Sequence, residues 1–247
     1  MARLGAVGLF TLTRVPEPEI MDTDDEVDAY ASAAAQLYLE SIDRTFVDHI
    51  GRLIAGSGLE DGARVLDFGC GPGQIPIMIA KRWPAMRVLG IDAGPNMIEQ
   101  AHKETAAAGV SVDYEVVRLG PQGDAKLPYA DGEFDIVLCN SVMHHLDDPV
   151  GSLDELARVA KPRGAVLVRD LMRPPAPAYP LHVRILGRHY TGEMRRLFEV
   201  SVRAAYTIDE MRDMLRRSRL NGGRSRVFQR GLTHLGIERP ALAGTGD

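Results

Sequence analysis

The chain has 247 residues, 45% of them hydrophobic, so it can bury a sizeable core in one domain or slightly more. Its formal net charge of -5 argues against a general nucleic-acid binder, because contacts to phosphates need a basic face. No apolar stretch approaches the roughly 20 residues that span a bilayer. We therefore expect a cytoplasmic protein, monomer or homodimer, with a small-molecule substrate and without nucleic-acid or membrane partners.

The first segment is predicted to form a tail followed by a helical cap. From Val27 to Ile54 apolar residues recur at three- and four-residue steps, and Gly56 and Gly58 end this pattern. Residues 1–60 are therefore assigned to the tail and cap, and residues 61–247 to the main domain. Tyr30 is a candidate lid residue in the cap, with a purely structural role as the alternative.

From Arg64 onward predicted strands and helices alternate, which is typical of a parallel sheet covered on both faces. The strands are expected at 65–68, 87–91, 111–117, 134–140 and 165–170, and the helices at 75–82, 95–108 and 150–160. Four prolines predict a stiff loop at 173–180, which opens a lid insertion at about 173–206. A helix over 207–220 begins with a capping box of Thr207 and Glu210, and two last strands follow at 226–232 and 233–237.

The turn after the first strand is the most informative stretch. Val65 to Phe68 reads as a buried strand, and Gly69, Gly71 and Gly73 follow it at two-residue intervals. Glycine lacks a Cβ atom, so a ligand can lie against the main chain there. The next helix points its free N–H groups back at this turn. The pattern predicts a nucleotide cradle at the carboxyl end of a strand.

The glycine spacing indicates which nucleotide binds. Dinucleotide sites use G-x-G-x-x-G, whereas this chain has G-x-G-x-G preceded by Asp67. An acid there disfavours a pyrophosphate and suits a cationic ligand such as S-adenosylmethionine. The stretch from Asp67 to Gly73 resembles motif I of the class I S-adenosylmethionine-dependent methyltransferases. A glycine turn with only a structural role is the alternative.

The resemblance implies a Rossmann-like α/β fold, with a seven-stranded, mostly parallel sheet and helices on both faces. It also implies methyl transfer to a small-molecule acceptor, with S-adenosylhomocysteine as the product. In addition to Asp67 and the glycines, the expected cofactor contacts are Cys70, Asp92, Ala93, Met97, Asp124, Ala125 and Asn140. Asp92 would accept hydrogen bonds from the ribose and Asp124 from the adenine. An apparent insertion at 119–122 leaves the exact adenine contact open.

A second motif follows the fourth predicted strand. Residues 141–149 resemble the S-x-x-H-H-L-x-D-P run of small-molecule methyltransferases, such as those of quinone biosynthesis. His145 is the first candidate for a general base near the methyl donor, and His144 is the second. The alternative is that one histidine caps the next helix while the other packs. Adjacent histidines make a poor metal pair, since only one can easily face an ion, and no metal site is expected.

The lid and the end of the fifth strand supply the remaining candidates. Asp170 and Arg173 are expected to border the crevice, where Arg173 would bind an acidic substrate group or form a salt bridge with a neighbouring acid. Tyr179 and Ser201 are lid candidates, each with a structural role as the alternative. Cys70 and Cys139 lack metal-ligand spacing and favour reduced thiols, although a disulfide between them stays open.

Methyl transfer by direct displacement needs positioning more than acid–base help, because the sulfonium already activates the methyl group. We therefore expect no single indispensable catalytic residue. Two other classes of function stay open, namely an NAD(P)-dependent oxidoreductase and a non-catalytic S-adenosylmethionine-binding module. A nucleic-acid or protein methyltransferase is disfavoured, because Asn140 to Met143 does not match the N-P-P-Y tetrapeptide.

Overall fold

A computed structural model of the chain describes residues 10–17, 22–28, 37–119 and 126–244. Three predicted site residues, Tyr30, Asp124 and Ala125, lie outside these ranges. Both cysteines are buried free thiols. Within the described ranges, no helix is both long and apolar enough to cross a membrane.

The described strands form one seven-stranded sheet in the order β3-β2-β1-β4-β5-β7-β6. The strands are β1 (Arg64–Phe68), β2 (Arg87–Asp92), β3 (Asp113–Val116), β4 (Phe134–Asn140), β5 (Ala160–Leu171), β6 (Arg226–Arg230) and β7 (His234–Arg239). The first five strands are parallel, and β7 runs antiparallel to both β5 and β6. The predicted fold class is therefore confirmed.

Seven helices with defined bounds flank this sheet within the described ranges: α1 (Leu37–Ile54), α2 (Gln74–Arg82), α3 (Pro95–Ala108), α4 (Pro149–Val159), α5 (Tyr179–Leu186), α6 (Gly192–Ala204) and α7 (Ile208–Arg217). Residues 24–28 are also helical. The capping box of Thr207 and Glu210 is present at the start of α7.

The two faces of the sheet carry separate cores because side chains alternate along each strand. Val65 of β1 packs with Phe46 of α1 and Ile79 of α2, whereas Leu66 packs on the other face with Leu153 of α4. The strand order reverses between β1 and β4. In such sheets the crevice at the carboxyl ends of the strands, beside this reversal, is where ligands bind.

The predicted loop at 173–180 is wrong over its second half. Residues Ala176–Ala178 form a turn of 3-10 helix, and α5 begins at Tyr179 with Pro180 in its first turn. Proline is compatible with that position, because the first N–H groups of a helix have no intrahelical partner. Prolines there indicated a helix start rather than an extended loop.

Strand β5 is also longer than predicted, since it starts at Ala160 rather than Ala165. Its pairing with β4 jumps from Phe134–Ala160 to Ile136–Ala165. Pro162 lies in this irregular stretch, where its missing N–H removes no ladder hydrogen bond.

Two segments cover the carboxyl edge of the sheet. The first is the lid, residues 176–204, whose helices α5 and α6 pack through Val183, Phe198 and Val202, with Tyr38 of α1 alongside. The second, which we call the strap, is residues 10–17. No strand forms within it among the described residues. The strap is tied to the lid by backbone hydrogen bonds from Ala176 to Phe10 and from Val15 to Arg203.

Candidate functional site

A cavity of about 390 Å³ lies at the carboxyl ends of the central strands, beneath the lid. Its volume is in the range of small-molecule sites. Most of the predicted site residues line it, namely Asp67, Gly69, Cys70, Gly71, Asp92, Ala93, Met97, Asn140, His144, His145 and Ser201. The sequence motifs are therefore brought together around one space.

The three glycines of the turn have different local surroundings. All have positive φ angles, +73° at Gly69, +50° at Gly71 and +87° at Gly73. A Cβ atom on Gly69 would lie 2.3 Å from Val142, and one on Gly73 would lie 2.5 Å from the Tyr114 hydroxyl. A Cβ atom on Gly71 would meet nothing within 4 Å. Gly69 and Gly73 thus permit close packing of the protein, whereas Gly71 leaves room for a ligand.

Asp92 fastens the glycine turn to the end of β2. One carboxylate oxygen accepts a hydrogen bond from the Gly71 N–H and the other from the Gly94 N–H, both at 2.9 Å. Burial raises the pKa of Asp92. Each oxygen keeps a second lone pair for a further donor, so contact with a ribose hydroxyl stays a prediction.

Asp67 is a buried carboxyl group facing the cavity. It is 1% exposed, and its Oδ1 atom has no hydrogen-bond partner among the described residues. Burial, together with the negative charges of Asp43 and Asp92, raises its pKa to about 7. Asp43 of α1 also lines the cavity, and burial raises its pKa to about 6 although Arg169 opposes this. A cationic group would relieve both carboxylates.

Arg169 of β5 is a site residue that sequence reasoning missed. It is 1% exposed, lines the cavity, and donates to Asn140 Oδ1 at 2.7 Å and to Thr45 Oγ1 at 3.0 Å. Its Nη2 atom lies 3.8 Å from Asp43 and has no hydrogen-bond partner in the described part of the chain. Burial lowers the pKa of Arg169 to about 10. The available signal in the sequence was an arginine inside an otherwise apolar strand, which indicates a buried charge with a partner.

The two histidines sit on a turn of 3-10 helix, Met143–His145, just after β4. Ser141, with a φ of +59°, redirects the chain there. His144 Nδ1 lies 2.6 Å from Asp170 Oδ1, and the His144 backbone N–H donates to Asp170 Oδ2 at 2.9 Å. Burial lowers the pKa of His144, but Asp170 and Glu17 outweigh it and raise the pKa overall. Asp170 thus fixes both the position and the orientation of His144.

Glu17 is another residue near the site that sequence reasoning missed. It lies in the strap, is 7% exposed, and places its Oε2 atom 3.6 Å from His144 Nε2. Neither atom has a hydrogen-bond partner in the described ranges. Arg14 anchors this part of the strap by donating to the carbonyls of Ala204, at 2.6 Å, and His144, at 2.8 Å. Glu17 and His144 are far apart in the sequence, so no local sequence pattern could have predicted their contact.

Four predicted residues do not line the cavity described here. Asp170 lies beneath His144, and Gly73 caps α2. Arg173 is buried and donates to Glu210 and to the Ala205 carbonyl, both at 2.6 Å, so it forms the salt bridge rather than facing a substrate. Tyr179 donates to the Glu199 carbonyl at 3.2 Å.

Comparison with known proteins agrees with the resemblance of the glycine turn to motif I of methyltransferases. Residues 66–168 match the family described as a methyltransferase domain. An uncharacterized methyltransferase of Schizosaccharomyces pombe is 37% identical over 121 residues, 47% of this chain and 43% of that protein. The ubiquinone biosynthesis O-methyltransferase of Xanthomonas euvesicatoria is 34% identical over 133 residues, 54% of this chain and 52% of that protein. The chain spans about half the length of these curated relatives.

Solved structures with the same fold cover more of the chain. A SAM dependent methyltransferase from Aquifex aeolicus has a TM-score of 0.55 at 22% identity, over 81% of this chain and 89% of that one. The plantazolicin methyltransferase BamL, solved with a triazolic desmethylPZN analog and SAH, has a TM-score of 0.66 at 12% identity, over 88% and 91%. The sheet order agrees with the fold of these structures, and residues 66–168 of the chain are similar to the methyltransferase domain family.

Proposed function

We propose that the protein transfers a methyl group from S-adenosylmethionine to a small-molecule acceptor. The observation that carries the proposal is the continuity of the cavity. The glycine turn and Asp92 line the same cavity as His144, His145 and Ser201. We assign the cofactor to the first group of residues, which we call the cofactor end, and the acceptor to the second group, which we call the acceptor end.

At the cofactor end, each part of S-adenosylmethionine has a complementary group. Asp92 accepts from the ribose, and Ala93 and Met97 pack against the adenosine. Asp67 and Asp43 would face the ammonium and sulfonium charges, while Arg169 Nη2, which has no hydrogen-bond partner in the described part of the chain, would face the carboxylate. Contacts from Asp124 and Ala125 to the adenine belong to the same proposal.

At the acceptor end, the lid supplies a mainly apolar wall. Leu186, Tyr190, Met194 and Phe198 line this part of the cavity beside Ser201. We assign the acceptor to small, largely apolar molecules that carry a hydroxyl group. The name of the Xanthomonas O-methyltransferase also specifies methyl transfer to an oxygen atom. Tyr30 and Tyr179 are proposed to support the lid rather than to touch the acceptor.

The transfer itself is a direct displacement. The acceptor oxygen forms a bond to the methyl carbon as the carbon–sulfur bond breaks, and the electron pair of that bond returns to sulfur. Holding the reacting atoms in line can account for several kcal/mol of the barrier reduction. We propose that His145, which lines the cavity next to His144, receives the proton of the acceptor. The lid excludes water from the reacting atoms.

We also propose a cytoplasmic location and a domain division at about residue 60. Burial raises the pKa of both cysteine thiols well above the usual range, and unpaired thiols suit a reducing compartment. In this division the strap and α1 belong to residues 1–60, and residues 61–247 form the cofactor domain with the lid inserted in it. The strap and the lid together form a movable cover over the cavity.

Thermal unfolding with separate ligands tests the proposed function. S-adenosylmethionine and S-adenosylhomocysteine should each raise the midpoint, since a ligand at about 100 times its Kd adds roughly 2.7 kcal/mol to the native state. NADH and NADPH serve as the matched controls. A rise with a nicotinamide cofactor alone would contradict the proposal. Loss of a compound from a metabolite extract in the presence of S-adenosylmethionine would then separate an enzyme from a non-catalytic binding module.

A further inference from the structure

Three buried residues with metal-binding side chains meet beside the cavity, and two of them, His144 and His145, line it. Glu17, His144 and His145 each offer one ligand atom, and these atoms lie within 4.8 Å of one another. Glu17 Oε2 and His144 Nε2 are 3.6 Å apart. Two ligands at about 2.1 Å from one tetrahedral ion would be about 3.4 Å apart. The pair thus has nearly the separation that a shared ion requires.

The orientation of His144 directs its second ring nitrogen at Glu17. Asp170 lies 2.6 Å from Nδ1 and accepts from it, so the lone pair of the neutral imidazole is on Nε2. Nε2 and the facing Glu17 oxygen have no hydrogen-bond partner in the ranges described. Asp170 and Glu17 raise the pKa of His144, which favours a proton on Nε2, and a metal ion bound between the two atoms would take the place of that proton.

The surroundings also resemble those of a built metal centre. Metal-binding histidines usually donate their other ring nitrogen to a carboxylate, which fixes the tautomer and the ring orientation. Asp170 does this here, and it is 0% exposed. We propose that Glu17, His144 and His145 bind one divalent transition-metal ion of the kind that prefers imidazole and carboxylate ligands, such as Zn²⁺. The sequence predicted no metal site because only the histidine pair was visible in it.

The ion would lie beside the acceptor, because His144 and His145 both line the cavity. This step rests on the proposed function. A bound cation would withdraw electron density from an acceptor hydroxyl and lower its pKa, so that the proton leaves to solvent before the lid excludes water and the oxygen attacks the methyl carbon. The histidines would then act as metal ligands. A methyl-transfer rate that depends on the metal ion would separate this role from that of a general base.

Zinc binding to the chelator-treated full chain tests the proposal. Isothermal titration calorimetry with ZnCl₂ should show one ion per chain, and metal content after gel filtration should agree. Glu17→Gln and His145→Asn should each weaken binding more than 10-fold, and Asp170→Asn by about 10- to 100-fold. His102→Asn is the matched control, because His102 is an exposed histidine on α3 and its loss should change nothing.

Binding of S-adenosylhomocysteine, measured on the same samples, keeps the two proposals apart. Wild-type protein that binds the nucleoside but not zinc overturns the metal site and leaves the proposed function intact. Zinc binding that persists unchanged in both Glu17→Gln and His145→Asn overturns the assignment of the ligands. Zinc binding without nucleoside binding would instead support the metal site and contradict the proposed function. Circular dichroism verifies that each variant is folded.

Discussion

Asp92 acts on the backbone as well as on the proposed ligand. Its two oxygens hold the Gly71 and Gly94 N–H groups at 2.9 Å. Asp92→Ala should therefore weaken binding of S-adenosylhomocysteine by about 1–3 kcal/mol, the scale of lost charge-assisted hydrogen bonds. Titration calorimetry gives the Kd. Asp92→Asn, which keeps an acceptor oxygen, should lose less, and an unchanged Kd in the alanine variant would remove Asp92 from the site.

Gly69 and Gly71 are two residues apart in the same turn, so alanine substitutions there can separate an effect on stability from an effect on ligand binding. Gly69→Ala adds a Cβ atom 2.3 Å from Val142 at a φ of +73°, so the free energy of unfolding should fall by about 2–5 kcal/mol. Gly71→Ala meets no neighbour. It should cost only about 1–2 kcal/mol of backbone strain but should abolish nucleoside binding by filling the ligand space.

Urea unfolding and titration calorimetry together check this pair. Gly222→Ala is the control, since Gly222 has open space around its Cα atom and lies outside the cavity lining. If Gly71→Ala binds the nucleoside as the wild type does, then the ligand does not lie against the turn.

At the scale of elements, Glu210 joins the end of β5 to the start of α7. One oxygen accepts from the Thr207 N–H at 2.7 Å, and the other accepts from Arg173 at 2.6 Å. Arg173→Ala should lower the free energy of unfolding by about 2 kcal/mol and leave the Kd for S-adenosylhomocysteine unchanged. Arg184→Ala, at an exposed arginine of the lid, should alter neither. A raised KM for the acceptor with unchanged stability would restore the substrate-binding alternative for Arg173.

The elements near the cofactor were predictable because their signals are local. The strand before Gly69, the glycine spacing and the capping box at Thr207 each depend on neighbouring residues in the sequence. The lid helix α5 was missed because its prolines were taken as loop residues, although Pro180 fits the first turn of a helix. Local patterns thus placed the sheet correctly and misplaced part of its cover.

The chemistry of the site was predictable only in part. Asp67 and Asp92 lie in the last residues of their strands, and the histidines follow β4, at the edge where parallel sheets bind their ligands. Asp43 and Glu17 belong to segments that the fold brings over the sheet, and their contacts with Arg169 and His144 are tertiary. Without a motif to mark them, no spacing in one sequence could pair these residues.

At the scale of the whole molecule, the strap and the lid are far apart in the sequence, and both cover the carboxyl edge of the sheet. The strap reaches the lid through Arg14, whose side chain also lies over the Tyr206 ring. The strap contributes Glu17, the lid contributes Ser201, and the sheet contributes the buried carboxyls. Opening of the cover would therefore expose the acceptor end while the cofactor turn stays held by Asp92.

The buried carboxyl of Asp67 makes the stability of this molecule depend on pH. Its pKa of about 7 in the folded state exceeds the value of about 3.9 expected when the chain is unfolded. Between these values the folded state binds more protons, so the free energy of unfolding decreases as the pH rises from about 4 to 7. Above pH 7 the folded protein holds an ionised, partly unpartnered carboxylate.

Asp67→Asn should remove this dependence. Relative to the wild type, the variant should gain free energy of unfolding as the pH rises from 5 to 8, by about 2–3 kcal/mol from the linkage relation. Urea unfolding at several pH values measures the difference. Saturating S-adenosylmethionine should shrink it, because the cationic ligand stabilises the carboxylate that asparagine lacks. Parallel curves for the two proteins at every pH would mean that Asp67 stays ionised throughout, and that its burial is compensated by groups other than the proposed cofactor.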